Sequence, residues 1–186
     1  VYVTNNASRS PQAVAKMLAD IGLTAGTEQI VTSAQAVLQL AAEEVPAGAK
    51  LLIIGADSLR DLAREMGFKV VSSADDNPAA VVQGFDRSVG WEHLTEGALA
   101  IRQGAKFFAS NLDTSLPIER GLAVGNGSLV AAIQSATGVE PVSAGKPEPA
   151  MFTFAAKQNG AKKPLAVGDR LDTDIAGGNS AAMDTF

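Results

Sequence analysis

Three aspartates, Asp169, Asp172 and Asp174, stand close together in "LAVGDRLDTDI", directly after a short apolar run. Asp169 can sit at the tip of a strand and Asp174 at the start of the next helix, so that both carboxylates face one small volume. Oxygen donors of this kind suit Mg²⁺, which keeps several of its waters and favours phosphate-bearing substrates. The same carboxylates would also serve as helix caps, because negative charge is favoured at a helix N-terminus, and Asp172 is read that way. Two other short stretches carry groups suited to an anion. Thr4 and Asn5 in "VYVTNN" offer a hydroxyl and an amide beside the backbone N–H groups of a strand-to-helix turn. Lys146 in "AGKPEP" stands between a glycine that allows close backbone approach and a proline that stiffens the exit, and could neutralise a phosphoryl group. Taken singly, the first reads equally well as a polar turn and the second as a solvated lysine.

The remaining composition narrows the chemistry. The chain has no cysteine and one histidine, His93, which removes thiolate nucleophiles, thiolate metal ligands and histidine metal clusters. The formal net charge of −5 and the absence of any run of three Lys or Arg exclude a nucleic-acid footprint. No apolar run approaches the length of a membrane span, and no signal-peptide pattern is present, so a cytoplasmic location is expected.

To bring Thr4, Lys146 and Asp169 together, the chain must place their strands side by side. "VYV", "QIV", "LLIIG", "FKVV", "AVVQG", "AKFFA" and "PLAVG" read as short strands, most of them continuously apolar. Between them lie amphipathic helices. The first is capped by Ser10 and carries Val14, Met17, Leu18 and Ile21; the second would be capped by Ser33. A third presents Leu59, Leu62, Ala63 and Met66. A fourth starts at Trp91, read as a packing residue, and buries Leu94, Ala98 and Ile101, with His93 at or near its surface. "LDTSLPIERGLAVGNG" has no clear period. Gly125 and Gly127 make a tight turn ahead of a helix capped by Ser128, and a later helix runs over Met151, Phe152 and Ala155. Apolar strands alternating with such helices imply an α/β fold with a largely parallel sheet covered on both faces. In such sheets ligands bind off the carboxyl ends of the strands, where all three clusters fall. Junctions at "EEVPAGAK" and "GVEPVSAGKP" divide the chain into a core, residues 1–45 and 144–186, and an inserted α/β domain, residues 46–143.

Together, "VYVTNNASRS", "AGKPEP" and "VGDRLDTDIAGGNSAAM" resemble the second, third and fourth motifs of the haloacid dehalogenase (HAD) superfamily. The insert is similar to the large C2-type α/β cap of its subfamily IIA, which includes sugar-phosphate, nitrophenyl-phosphate and phosphoglycolate phosphatases. The resemblance implies a Rossmannoid three-layer core and a Mg²⁺-dependent phosphomonoester hydrolase acting on a small phosphorylated metabolite. Thr4 would hydrogen-bond the transferring phosphate, Asn5 would support it, and Lys146 would hold the phosphate and orient the nucleophile. Asp169 would bind Mg²⁺, and Asp174 would bind it directly or through water. Asn6 and Arg9 would shape the same loop, Asn179 would support the fourth motif, and Asp113 would face the entrance from the cap with Asn111 behind it. A homodimer through the cap is also implied.

The family's first motif, an aspartate pair at the end of the first strand, has no counterpart here. "GADS" at 55–58 lies in the insert and cannot replace it. The nucleophile that forms an aspartyl-phosphate is therefore expected upstream, together with a central strand, and this stretch is expected to be inactive alone. Two other readings fit the composition: a non-catalytic module that binds a phosphorylated ligand, and an interaction module built on the insert. A receiver-like phosphoacceptor uses similar groups but is shorter and has no cap-sized insert.

Overall fold

The structure is a computed structural model that describes residues 1–186. Its largest element is a five-stranded parallel sheet. In spatial order the strands are β4 (Lys69–Val71), β3 (Lys50–Ile54), β5 (Ala80–Gln83), β6 (Lys106–Ala109) and β9 (Val142–Ser143). Leu51 and Ile53 pack into one hydrophobic cluster, and Leu52 and Ile54 into another on the opposite face. This two-sided burial explains why the strand sequences are apolar throughout instead of alternating. Helices α2 (Ser33–Glu44) and α3 (Asp57–Glu65) cover the first face; α4 (Trp91–Arg102) and α5 (Asn126–Thr137) cover the second.

Two parallel pairs lie apart from this sheet. Near the N-terminus, β1 (Tyr2–Thr4) pairs with β2 (Ile30–Thr32), and α1 (Pro11–Asp20) connects them. Near the C-terminus, β10 (Leu165–Ala166) pairs with β11 (Asp184–Thr185), as the strand-like "MDTF" suggests. The link between β10 and β11 is a π-helical turn at Leu171–Ile175 running into α7 (Ala176–Ser180). Helix α6 (Ala150–Gln158) buries Met151, Phe152 and Ala155 as the sequence indicates. Met151 joins the cluster under α2, together with Ala7 and Ala144, so one apolar core runs from the large sheet to the segments that carry Thr4 and Lys146.

Several local expectations change. Thr32, not Ser33, caps α2: its hydroxyl accepts from the Gln35 N–H at 3.3 Å, and Gln35 Oε1 accepts from the Thr32 N–H at 2.9 Å. This is a reciprocal capping box. Ser128 does not cap α5 either, since the helix begins at Asn126 and the Ser128 hydroxyl donates to the Thr114 carbonyl. The irregular segment before α5 is an antiparallel hairpin of β7 (Ser115–Ile118) and β8 (Gly121–Val124). Trp91 is 78% exposed and packs little, and α4 buries Gly97, Ala100 and Ile101 instead of Ala98. In α1 only Val14 is buried; Ile21 beyond its end is 70% exposed.

Gly127 shows how tightly the hairpin entrance is closed against α5. A Cβ at this position would lie 2.1 Å from the Leu112 carbonyl oxygen, which is main chain and cannot swing aside. Alanine in a helix is favoured over glycine by about 1 kcal/mol. Gly127→Ala is nevertheless expected to destabilise the fold by about 2 kcal/mol, because overpacking outweighs propensity. Chemical denaturation of the variant checks the sign.

Candidate active site

Asn5 is the centre of the site. It follows β1, and its side chain spans the Lys146 backbone. Oδ1 accepts from the Lys146 N–H at 2.8 Å, while Nδ2 donates to the Lys146 carbonyl at 3.2 Å. The same Nδ2 donates to Asp113 Oδ2 at 3.1 Å. The Asn5 carbonyl accepts two more bonds, from Ser33 Oγ at 2.7 Å and from Asn111 Nδ2 at 2.8 Å. Residues remote in sequence thus converge on one asparagine, from the ends of β1 and β6, the start of α2, and the loop before α6.

Lys146 turns its ammonium towards the acidic turn. Its Nζ lies 2.5 Å from Asp174 Oδ1 and 3.5 Å from the Val3 carbonyl. The pair is mostly sequestered, with side-chain exposures of 14% and 13%. The other Asp174 oxygen accepts from the Arg170 N–H at 3.3 Å. The Lys146–Pro147 peptide bond is cis. Beside Lys146 and Asp174 a cleft of about 240 Å³ opens between β1 and β10, walled by apolar residues including Val3, Phe152 and Ala166.

Thr4 is half-buried, and its hydroxyl accepts from the Asn6 N–H at 3.2 Å. Asn6 Oδ1 in turn accepts from the Ser8 N–H and hydroxyl, both at 2.8 Å, so the loop after β1 is folded by its own side chains. Asp113, on the segment between β6 and β7, accepts a hydrogen bond from Asn5 Nδ2. Asn111, 5% exposed, stands behind it and accepts from the Asp113 N–H at 3.1 Å.

The other candidates are not drawn into this network. Asp169 is exposed and makes no hydrogen bond or ion pair. Asp172 is held by both arms of the Arg170 guanidinium at 3.2 and 2.8 Å. That hydrogen bonding pulls the Asp172 carboxyl below its ordinary range and raises the Arg170 guanidinium. Asp172 therefore has a local ion-pair partner, and it does not cap the following helical turn, whose N-cap is Arg170 with no side-chain capping bond. Arg9 lies exposed against the Met17 sulfur and lines a separate polar cleft between α1 and α3. Asn179 Oδ1 accepts from the Thr185 hydroxyl of β11 at 3.3 Å, so it braces α7 against that strand. No three Asp, Glu or His side chains converge into a metal-binding group.

Two contributors escape a reading of types and spacing. The sequence offers Ser33 as a cap, but the box formed by Thr32 and Gln35 leaves its hydroxyl free to donate to the Asn5 carbonyl; the Thr32–Gln35 spacing is the signal for that box. Asn126, the first residue of α5, is buried and donates to the Asn111 carbonyl, a contact that only the fold reveals.

Comparisons with known proteins place the chain in a family. A model of haloacid dehalogenase-like hydrolases matches residues 1–69, and a HAD-hydrolase-like model matches residues 143–186. The 5'-nucleotidase YutF of Bacillus subtilis is 40% identical over 188 residues, covering all of this chain and 72% of that protein. The chain belongs to the haloacid dehalogenase-like hydrolases. Its place is the subfamily IIA branch with the large α/β cap. Within the family, it is 49% identical to the D-glycerol 3-phosphate phosphatase of Mycobacterium tuberculosis over 183 residues, which is 98% of this chain and 52% of that protein. The chain thus spans about half the length of that relative. A crystal structure of the M. tuberculosis glycerol phosphate phosphatase in complex with magnesium superposes with a TM-score of 0.96 at 48% identity, covering all of this chain and 56% of that one. The two family models match the segments that carry Thr4, Asn5, Lys146 and the acidic turn, and leave residues between 69 and 143 unmatched.

Proposed function

We propose that the protein containing this chain is a Mg²⁺-dependent phosphomonoesterase acting on a small polyol or sugar phosphate. The observation that carries the reading is the hydrogen-bonded chain Asp113–Asn5–Lys146–Asp174, drawn from separate segments, whose Lys146 and Asp174 line the cleft. In this reading Thr4 and the N–H groups after β1 hold phosphate oxygens, and the Lys146 ammonium neutralises their charge. The Asn5 amide fixes the Lys146 backbone, so the ammonium is aimed before substrate arrives. Asp174 holds that ammonium at its other side. Residues 46–143 would act as the cap, with Asp113 reaching across to the core; the cap would exclude water and read the leaving group.

The donor set fits Mg²⁺ as a partial site. Asp174 and Asp169 supply two hard oxygens on one turn, and Mg²⁺ is commonly held by one or two carboxylates with the rest from water and phosphate. When bound there, the ion would add positive charge beside the phosphoryl oxygens. The engagement of both Asp174 oxygens, by Lys146 and by the Arg170 N–H, favours one other reading of this stretch, a phosphate-ligand-binding module without turnover. The substrate class is drawn from the relatives, one named for D-glycerol 3-phosphate and others for acid sugar phosphatase activity. A homodimer through the cap belongs to the same proposal, supported by the exposed Leu122 and Val124 of the β7–β8 hairpin. So does a cytoplasmic location; no helix is long and apolar enough to cross a membrane.

The test is phosphate release by the full-length protein from glycerol 3-phosphate and glucose 6-phosphate, with Mg²⁺ and with chelator. Turnover that falls on the order of 10²-fold with chelator, and equally in Asp174→Asn, is expected. Binding of inorganic phosphate with no turnover under any metal condition would favour the binding module.

A further inference from the structure

We infer that Asn126, on the first turn of α5, is a positioning residue for the site, acting through Asn111 on the Asn5–Lys146 pair. This inference rests on the hydrolase reading for its catalytic consequence, but not for its structural one.

Asn126 is 3% exposed, and its side chain hydrogen-bonds to the Asn111 carbonyl and not to Lys146 or the acidic turn. Its Nδ2 donates to the Asn111 carbonyl at 2.8 Å. Asn111 passes the constraint on, because its own Nδ2 donates to the Asn5 carbonyl at 2.8 Å and its Oδ1 accepts from the Asp113 N–H at 3.1 Å. Asn5 then clasps both backbone polar groups of Lys146. Three successive amides thus connect the start of α5 to the lysine loop.

Packing around this line leaves little slack. A Cβ on Gly145 would sit 2.6 Å from Asn111 Cβ and 2.7 Å from the Ser110 carbonyl oxygen, so the lysine loop presses directly on the 110–111 backbone. On the other side, Gly127 presses on the Leu112 carbonyl. Segment 110–113 is therefore held between α5 and the lysine loop, and a shift at Asn126 has no side-chain gap to absorb it.

The energetics suit a positioning group better than a stabilising one. Asn126 Oδ1 is buried without a hydrogen-bond partner. An unsatisfied buried polar atom costs about 1–3 kcal/mol, comparable to or larger than the gain from one neutral hydrogen bond. An apolar residue would avoid that cost. What the asparagine supplies beyond volume is a donor aimed at the Asn111 carbonyl, which fixes the direction of a loop that meets the site.

The experiment compares Asn126→Ala and Asn126→Asp with Val130→Ala in the full-length protein. Val130 lies on the same helix, is 1% exposed and belongs to the hydrophobic cluster only. Asn126→Asp keeps the shape but presents an acceptor to the Asn111 carbonyl. Both Asn126 variants should lower kcat on the order of 10-fold to 10²-fold with KM little changed, as expected when a reacting group is displaced without loss of binding surface. Val130→Ala, matched to Asn126→Ala in thermal midpoint, should keep kcat. Amide exchange at Lys146 provides a readout independent of turnover: it should accelerate in the Asn126 variants and not in Val130→Ala. Equal kcat losses in Val130→Ala and Asn126→Ala, or unchanged Lys146 exchange in the Asn126 variants, would overturn the inference. If the parent releases no phosphate, the hydrolase reading fails on its own, and Lys146 exchange still decides the role of Asn126.

Discussion

Lys146→Met in the full-length protein is expected to reduce phosphate release on the order of 10³-fold and to destabilise the fold. The two effects have different causes and can be separated. Methionine preserves most of the stem volume but removes the only ammonium in the cleft. If phosphate binds beside it, its charge is then left to backbone donors and Thr4. The stability loss arises from Asp174, whose Oδ1 lies 2.5 Å from Lys146 Nζ. With both side chains mostly out of solvent, removal of one partner leaves a charge without its counterion; a loss of about 2 kcal/mol is expected, less than for a fully buried pair. Asp174→Asn added to Lys146→Met removes the orphan charge and should recover part of the stability. It should recover none of the turnover. A purely structural ion pair predicts the opposite pattern, with activity returning alongside the thermal midpoint, and that outcome would remove Lys146 from the chemistry.

Of the residues in this prediction only Thr4 sits at a strand end; Lys146 follows β9 in a loop and Asp174 lies in the π-helical turn after β10, so they stand out in the sequence by residue type and neighbours. The sequence leads one to expect a single parallel sheet carrying "VTNN", "GKP" and "GDRLDTD", but β1, β9 and β10 lie in three separate sheets, and Asn5 meets Lys146 across that division through side-chain to main-chain hydrogen bonds. The strands themselves were plain, since two-sided burial of Leu51–Ile54 writes a continuous apolar run. The hairpin of β7 and β8 was not plain. Its two-residue turn is Glu119–Arg120, which lacks the Asn-Gly or Asp-Gly signal, and its strands are largely exposed, so burial imposes no alternation. Trp91 misled for the reason that residue type is a weak guide to burial at a helix start. Asn126 carried no local signal at all. Its partner is the Asn111 carbonyl, and a main-chain acceptor leaves no trace in side-chain spacing. The domain limits at 45/46 and 143/144 remain our proposal, and the cluster containing Ala7, Leu51 and Ala144 shows that apolar packing is continuous across them.

Asn5→Asp should be nearly as damaging as loss of the lysine, although it alters only one side-chain group. In the native site Nδ2 donates to Asp113 Oδ2 and to the Lys146 carbonyl, while Oδ1 accepts from the Lys146 N–H. Aspartate can keep the last of these bonds. It replaces the first two with an anionic oxygen facing a carboxylate at about the former 3.1 Å and a carbonyl at about 3.2 Å. Two carboxylates so close do not both ionise without strain, so the pair must separate or take up a proton. A loss of about 2 kcal/mol or more is expected from the forfeited bonds, with the Asp113 loop swinging away from the core. Asp113→Asn alone is milder, because a side-chain rotation lets the amide oxygen accept from Asn5. The combined Asn5→Asp, Asp113→Asn variant restores a donor–acceptor match across the cap–core junction, but leaves the Lys146 carbonyl facing a carboxylate. A double-mutant cycle should therefore give a favourable coupling between positions 5 and 113, with loop closure recovered ahead of turnover. Additive losses would mean that Asp113 and Asn5 do not act as a pair, and the proposed contact of cap with core through this bond would be wrong.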